Sequence, residues 1–80
     1  MKRKLFLTFP QKILGEPLIY TLGRDFKVIP NIQGASITKE RGLMALELDG
    51  DVQEIERAVA FLEAKGVQVE VLLQGQEPKW

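Results

Sequence analysis

The sequence contains no cysteine and no histidine. Disulfide staples, thiolate and imidazole metal ligands, Cys-x-x-Cys metal carriers and cysteine-held iron–sulfur clusters are therefore excluded. Net charge is missing too: 11 Lys and Arg balance 11 Asp and Glu, so no overall field steers the chain to nucleic acid or to an anionic membrane. No apolar run approaches the roughly 20 residues that a spanning helix requires. After Met1-Lys2-Arg3-Lys4 the apolar stretch is only Leu5 to Phe9, broken by Thr8, which is too short for a signal-peptide core. A Gly-x-x-x-x-Gly-Lys-[Ser/Thr] phosphate loop is absent, as are the EF-hand spacing around Asp49-Gly50-Asp51 and the paired aromatics of an RNA-binding sheet. The expectation is a cytoplasmic protein with no metal, no cofactor, no nucleic-acid partner and no membrane insertion.

What is present fits one small domain over residues 1–80. A chain of this size buries only about 60% of the surface its unfolded form exposes. Its core is adequate but thin, and dimerisation is the simplest way to bury more.

Leu5, Leu7 and Phe9 alternate with Lys4, Phe6 and Thr8, which is strand periodicity ended by Pro10. Gln11 to Gly15 reads as a loop. Pro17 suits a first helical position, Leu18 and Leu22 lie one turn apart, and Gly23 marks the helix end. Phe26 to Ile29 is extended, and Pro30 bars central-strand pairing there. The strand continues from Asn31 to Lys39, with a bulge or close approach at Gly34. Glu40-Arg41-Gly42 reads as a tight turn with Gly42 available for positive φ.

Leu43 to Asp49 is a third strand, with Met44, Leu46 and Leu48 on one face. Asp51 and Glu54 have capping-box spacing before a helix. Its apolar stripe is Val52, Ile55, Ala58, Val59 and Leu62, and Gly66 ends it. Val67, Val69 and Val71 give the last strand, and residues 74–80 read as a polar tail with one aromatic, Trp80. The order βαββαβ predicts an α+β, ferredoxin-like sandwich: a four-stranded antiparallel sheet with both helices on one face. Phe6, Ala35, Ala45 and Leu72 are candidates to line the other face, a possible partner surface.

Two segments stand out as a site. One is the loop and helix start from Gly15 to Tyr20; the other runs from Pro30 to Ile37. First-turn N–H groups of Leu18 and Ile19 can meet a carboxylate, aided by the positive helix end. The Asn31 carboxamide can both accept from an ammonium and donate to a carboxylate. Leu14, Ile19 and Ile37 can wall an apolar pocket. The alternatives stay open: a helix start whose donors see water, a turn asparagine satisfying local backbone, and core residues that line nothing. A catalytic pair is not visible. Arg24 and Asn31 are residue types that an acylphosphatase on this fold uses, but its glycine-rich cradle is absent.

Thr8-Phe9, Glu16-Pro17-Leu18-Ile19, Phe26-Lys27-Val28, Asn31-Ile32-Gln33-Gly34-Ala35 and Gly66 to Leu72 together resemble the NIL domain. This is the ACT-like module at the C-terminus of the ATPase subunit of bacterial methionine ABC importers. The resemblance covers about residues 4–72. It implies a homodimer that binds methionine between subunits as a regulatory signal. It further implies that the ligand backbone meets Leu14, Gly15, Glu16, Pro17, Leu18 and Ile19, with contact from Asn31. A methionine of the family pattern falls on Ile37 here, and Pro30 replaces a polar residue. With Met1 opening the module almost directly, the expectation is a stand-alone member that binds methionine or a related sulfur amino acid. The competing expectation is an interaction module docking on a transporter or sulfur-transfer complex without a ligand.

Overall fold

Alternation of apolar and polar residues produces the sheet. The computed structural model describes residues 1–73, 75 and 76. Strand β1 spans Lys2–Pro10, and a single 3₁₀ turn, Gln11–Ile13, leads to helix α1, Leu18–Asp25. Strands β2 (Val28–Ile37) and β3 (Arg41–Gly50) form a hairpin. Helix α2 (Val52–Ala64) and strand β4 (Gln68–Leu72) complete the βαββαβ order. The sheet is antiparallel with strand order β2-β3-β1-β4. This is the ferredoxin-like architecture that the element order predicts. The tail expected over 74–80, Trp80 included, lies outside the described residues apart from Gly75 and Gln76.

Opposed ladder partners share a face, so register sorts the side chains. Leu5 pairs with Leu46, Leu7 with Met44 and Arg3 with Leu48. Leu5, Leu7, Leu46 and Leu48 are fully buried against Leu22, Ile55 and Leu62 from the helices. Gly66, at φ +99°, ends α2: its N–H donates to the Glu63 carbonyl and the Val67 N–H donates to the Leu62 carbonyl. This crossed pair satisfies two of the helix's last carbonyls.

On the other face Phe6 pairs with Ala45 and Glu70, and Lys4 with Glu47 and Leu72. Phe6, Ala45 and Leu72 are buried there, while Lys4, Gln68 and Glu70 are exposed. This face is therefore no open apolar patch. Ala35, expected on it, pairs with Met44 on the helix side instead. The cause is a bulge between Ile32 and Gly34, whose extra residue reverses the alternation. Three of the exposed large apolar side chains lie on the edge strand β2, where Ile29, Ile32 and Ile37 are 70%, 52% and 67% exposed.

Four local expectations are corrected. Helix α1 runs through Gly23 to Asp25, so this glycine does not end it, and a Cβ there would meet the Pro30 ring at an ordinary contact of 3.4 Å. Gly42 belongs to β3 and has no positive φ. The hairpin turn is held by Thr38, whose hydroxyl accepts from the Glu40 and Arg41 N–H groups. Val52 is exposed rather than part of the apolar stripe.

The fourth concerns Asp51, which makes no side-chain cap bond. Glu54 does not close a capping box either. Its carboxylate accepts from the Lys27 backbone N–H at 3.0 Å and from Arg57 Nη1 at 2.7 Å. It thereby ties the α1–β2 connection to α2, and Arg57 also stacks on Phe26, which packs at a tilt on Phe61. The Lys27 N–H, and then Arg57, hold the Glu54 carboxyl below its ordinary pKa. A group depressed in the folded state stabilises the fold above its unfolded pKa and loses that contribution as pH falls through the folded pKa. Glu54→Gln is therefore expected to lower Tm at neutral pH and to flatten the acid limb of a Tm-versus-pH curve. Parallel wild-type and variant curves would contradict the latch.

Candidate functional site

Between β1 and α1 the chain makes three tight backbone bonds in quick succession. The Leu14 N–H donates to the Gln11 carbonyl at 3.2 Å, Glu16 N–H to Ile13 at 3.1 Å, and Leu18 N–H to Glu16 at 2.8 Å. The last spans Pro17, at φ −81° and ψ 59°, which is an inverse γ-turn. Pro17 is thus the residue flanking the helix, one place earlier than its sequence position predicts. Leu18's N–H is already engaged, so it is not the free donor expected. Ile19 and Tyr20 follow it in the first turn, where N–H groups lack intrahelical acceptors. Thr21 N–H and Oγ1 both donate to the Pro17 carbonyl at 3.1 Å.

This folded loop stands over the β1–β3–β2 end of the sheet and leaves a cleft of about 160 Å³. A cavity of about 150 Å³ lined by apolar side chains accommodates benzene, so the space matches one apolar amino-acid side chain rather than a nucleotide. Leu14, Glu16, Pro17, Leu18, Ile19 and Tyr20 form one wall. Phe9, Ile13, Ile37, Gly42, Leu43 and Met44 form the floor and the other wall. Glu16 carries the only formal charge among these twelve and is exposed. An apolar tail inside and a charged head at the rim is the ligand shape this lining suits.

Six of the eight sequence-predicted residues meet here: Leu14, Glu16, Pro17, Leu18, Ile19 and Ile37. Gly15 is exposed and lies outside the lining. Asn31 is not brought to the cleft within one chain. Its ladder partner is Glu47, and its neighbour Pro30 abuts Gly23 of α1, so alternation puts Asn31 on the sheet face away from the helices. The convergence of the α1 amides and the Asn31 carboxamide is thus corrected for a single chain.

Phe9, Ile13, Tyr20, Gly42, Leu43 and Met44 were missed as lining. The available signal was Gly42 itself, heading the row Gly42, Met44, Leu46, Leu48 on the core-facing side of β3. A glycine in such a row leaves a notch in the sheet surface. Among the described residues no three His, Cys, Asp or Glu side chains group to hold a metal. No helix there is long and apolar enough to cross a membrane.

Sequence comparison finds methionine import ATP-binding proteins as relatives of the chain. The chain is 39% identical over 70 residues to the methionine import ATP-binding protein MetN of Helicobacter pylori, which covers 82% of the chain and 21% of that relative. It is 32% identical over 68 residues to a Bacillus cereus methionine import ATP-binding protein, MetN 1, covering 80% of the chain and 20% of the relative. With MetN of Bacillus subtilis the identity is 31% over 70 residues, 82% of the chain and 20% of the relative. The chain spans about a fifth of the length of these relatives. The NIL domain model matches residues 3–71, from the second residue of β1 to the last but one of β4. With that match running through every element that builds the cleft, the chain belongs to the NIL domain family.

Proposed function

We propose that the chain is a regulatory domain that binds methionine or a related sulfur amino acid in the α1 cleft, and that it works as a homodimer in the cytoplasm. The observation that carries this reading is the cleft: space for one apolar side chain, lined by Glu16 and by Ile19 and Tyr20 of the first turn of α1. First-turn N–H donors suit an α-carboxylate and Glu16 suits an α-ammonium. The names of the relatives, which are methionine import proteins, support methionine as the ligand class. Met44 at the floor offers a polarisable thioether in place of the one that Ile37 lacks.

Dimerisation is supported by β2, a ten-residue edge strand with three exposed isoleucines. Such an edge is a template for pairing. Asn31 lies on that strand, and in this reading it contributes to the site of a second copy rather than to its own. Titration calorimetry with L-methionine is expected to give saturable heat at millimolar or tighter affinity. Sedimentation is expected to show a dimer that Ile32→Lys dissociates. Absence of heat with methionine, S-adenosylmethionine and homocysteine removes the ligand. The exposed β2 edge also favours a second reading, docking on a transporter subunit without a ligand. That reading predicts a monomer that binds no amino acid.

A further inference from the structure

We infer that Gly42 sets how deep a side chain the cleft accepts, with Leu14 as a movable stop above it; this rests on the ligand reading just given. Gly42 is buried in β3, opposite Phe9 on β1 and Ile37 on β2. A Cβ placed there would lie 2.9 Å from Leu14 Cδ2, but 3.6 Å from Ile37 Cγ1 and 3.7 Å from Phe9 Cβ. The last two are ordinary contacts; only Leu14 has to give way. Its backbone is fixed by the Gln11 carbonyl, and the following turn by the Glu16 to Ile13 bond. The shift therefore falls on the end of the Leu14 side chain. Phe9 and Ile37 close the ground on either side of Gly42, so Leu14 swings outward into the cleft it lines.

Three properties follow from this arrangement. The absent side chain at 42 is what lets Leu14 lie down on the sheet and leave the cleft open. Because the displaced atom is the tip of a flexible side chain, a methyl at 42 costs the fold little. It costs a long ligand side chain much more, because the methyl and Leu14 then compete for the same floor. One methylene in an apolar pocket changes discrimination by about ten- to two-hundredfold.

The test uses the full chain as wild type, Gly42→Ala, and Leu14→Ala/Gly42→Ala, each titrated calorimetrically with L-methionine and melted thermally. Gly42→Ala is expected to melt within a few degrees of wild type and to bind methionine roughly tenfold more weakly or worse. The double variant is expected to regain most of the lost affinity, since shortening Leu14 frees the floor. Wild-type affinity in Gly42→Ala, or loss that the double variant does not relieve, overturns the inference and leaves the ligand reading standing. Wild type that binds no methionine removes the ligand reading and the inference with it.

Discussion

Leu46→Ala is expected to cost about 2–5 kcal/mol of folding stability, the range for removing a fully buried leucine from a core that relaxes only partly. Leu46 is 0% exposed and sits mid-strand in β3, with Leu5 beside it on β1 and Ile32 on β2. It belongs to the cluster with Leu7, Leu48, Ile55 and Leu62. For a chain of this length total stability is roughly 4–12 kcal/mol, so a large fraction is at stake. At about 4–8 °C per kcal/mol, Tm falls by more than about 8 °C. Val71→Ala is the control. Val71 pairs with Leu5 from the other side but is 48% exposed, and its loss is expected to move stability by less than about 1 kcal/mol. Similar losses for the two in thermal or urea denaturation would contradict the assigned core.

Gly50→Ala is expected to destabilise by about 1–3 kcal/mol through overpacking. A Cβ at position 50 would stand 2.7 Å from the Lys27 carbonyl oxygen and 3.2 Å from Val28 Cγ1. Unlike Leu14 above Gly42, the Lys27 carbonyl is backbone and has little room to yield. The same residue's N–H is held by the carboxylate of Glu54, and Gly50 N–H donates to the Met1 carbonyl at 2.9 Å. The strain therefore pulls on β2, β3 and α2 together. Two glycine-to-alanine changes eight positions apart on one strand thus separate cleanly: position 50 in denaturation, position 42 in binding. Equal Tm values for the two variants would show that backbone approach at 50 is looser than described.

The frame was legible in the sequence because burial has a period. Leu5, Leu7 and Phe9, and Met44, Leu46 and Leu48, repeat every second residue and are all buried on the helix side. Gly66 was legible because a helix ended by a residue at positive φ selects glycine. The errors fall where one local signal has two physical uses. Gly23 and Gly42 have the look of punctuation, but Gly23 lies inside α1, two residues before its end, and Gly42 is a close-approach site against Leu14. Glu54 had capping-box spacing, yet the Lys27 N–H twenty-seven residues away is the donor it takes. Ala35 loses its expected face to a bulge that Gly34 signals, because the reversal of parity beyond it shows only in the register.

The cleft was half legible for the same reason. Its α1 wall, Leu14 to Ile19, is contiguous in sequence and could be read as one motif. Its floor comes from Phe9, Gly42 and Met44, which only sheet register brings together. Asn31 is the instructive miss. Proximity in the motif suggested convergence, whereas strand alternation turns its side chain to the opposite face.

Backbone amide shifts followed by NMR during titration with L-methionine test the central claim most directly. The account predicts saturable changes concentrated at Ile19, Tyr20, Ile37 and Gly42, with Val71 and Leu73 at the far edge of the sheet unmoved. Changes confined to Lys2, Lys4 and Leu73, or none at any concentration up to millimolar, would contradict it.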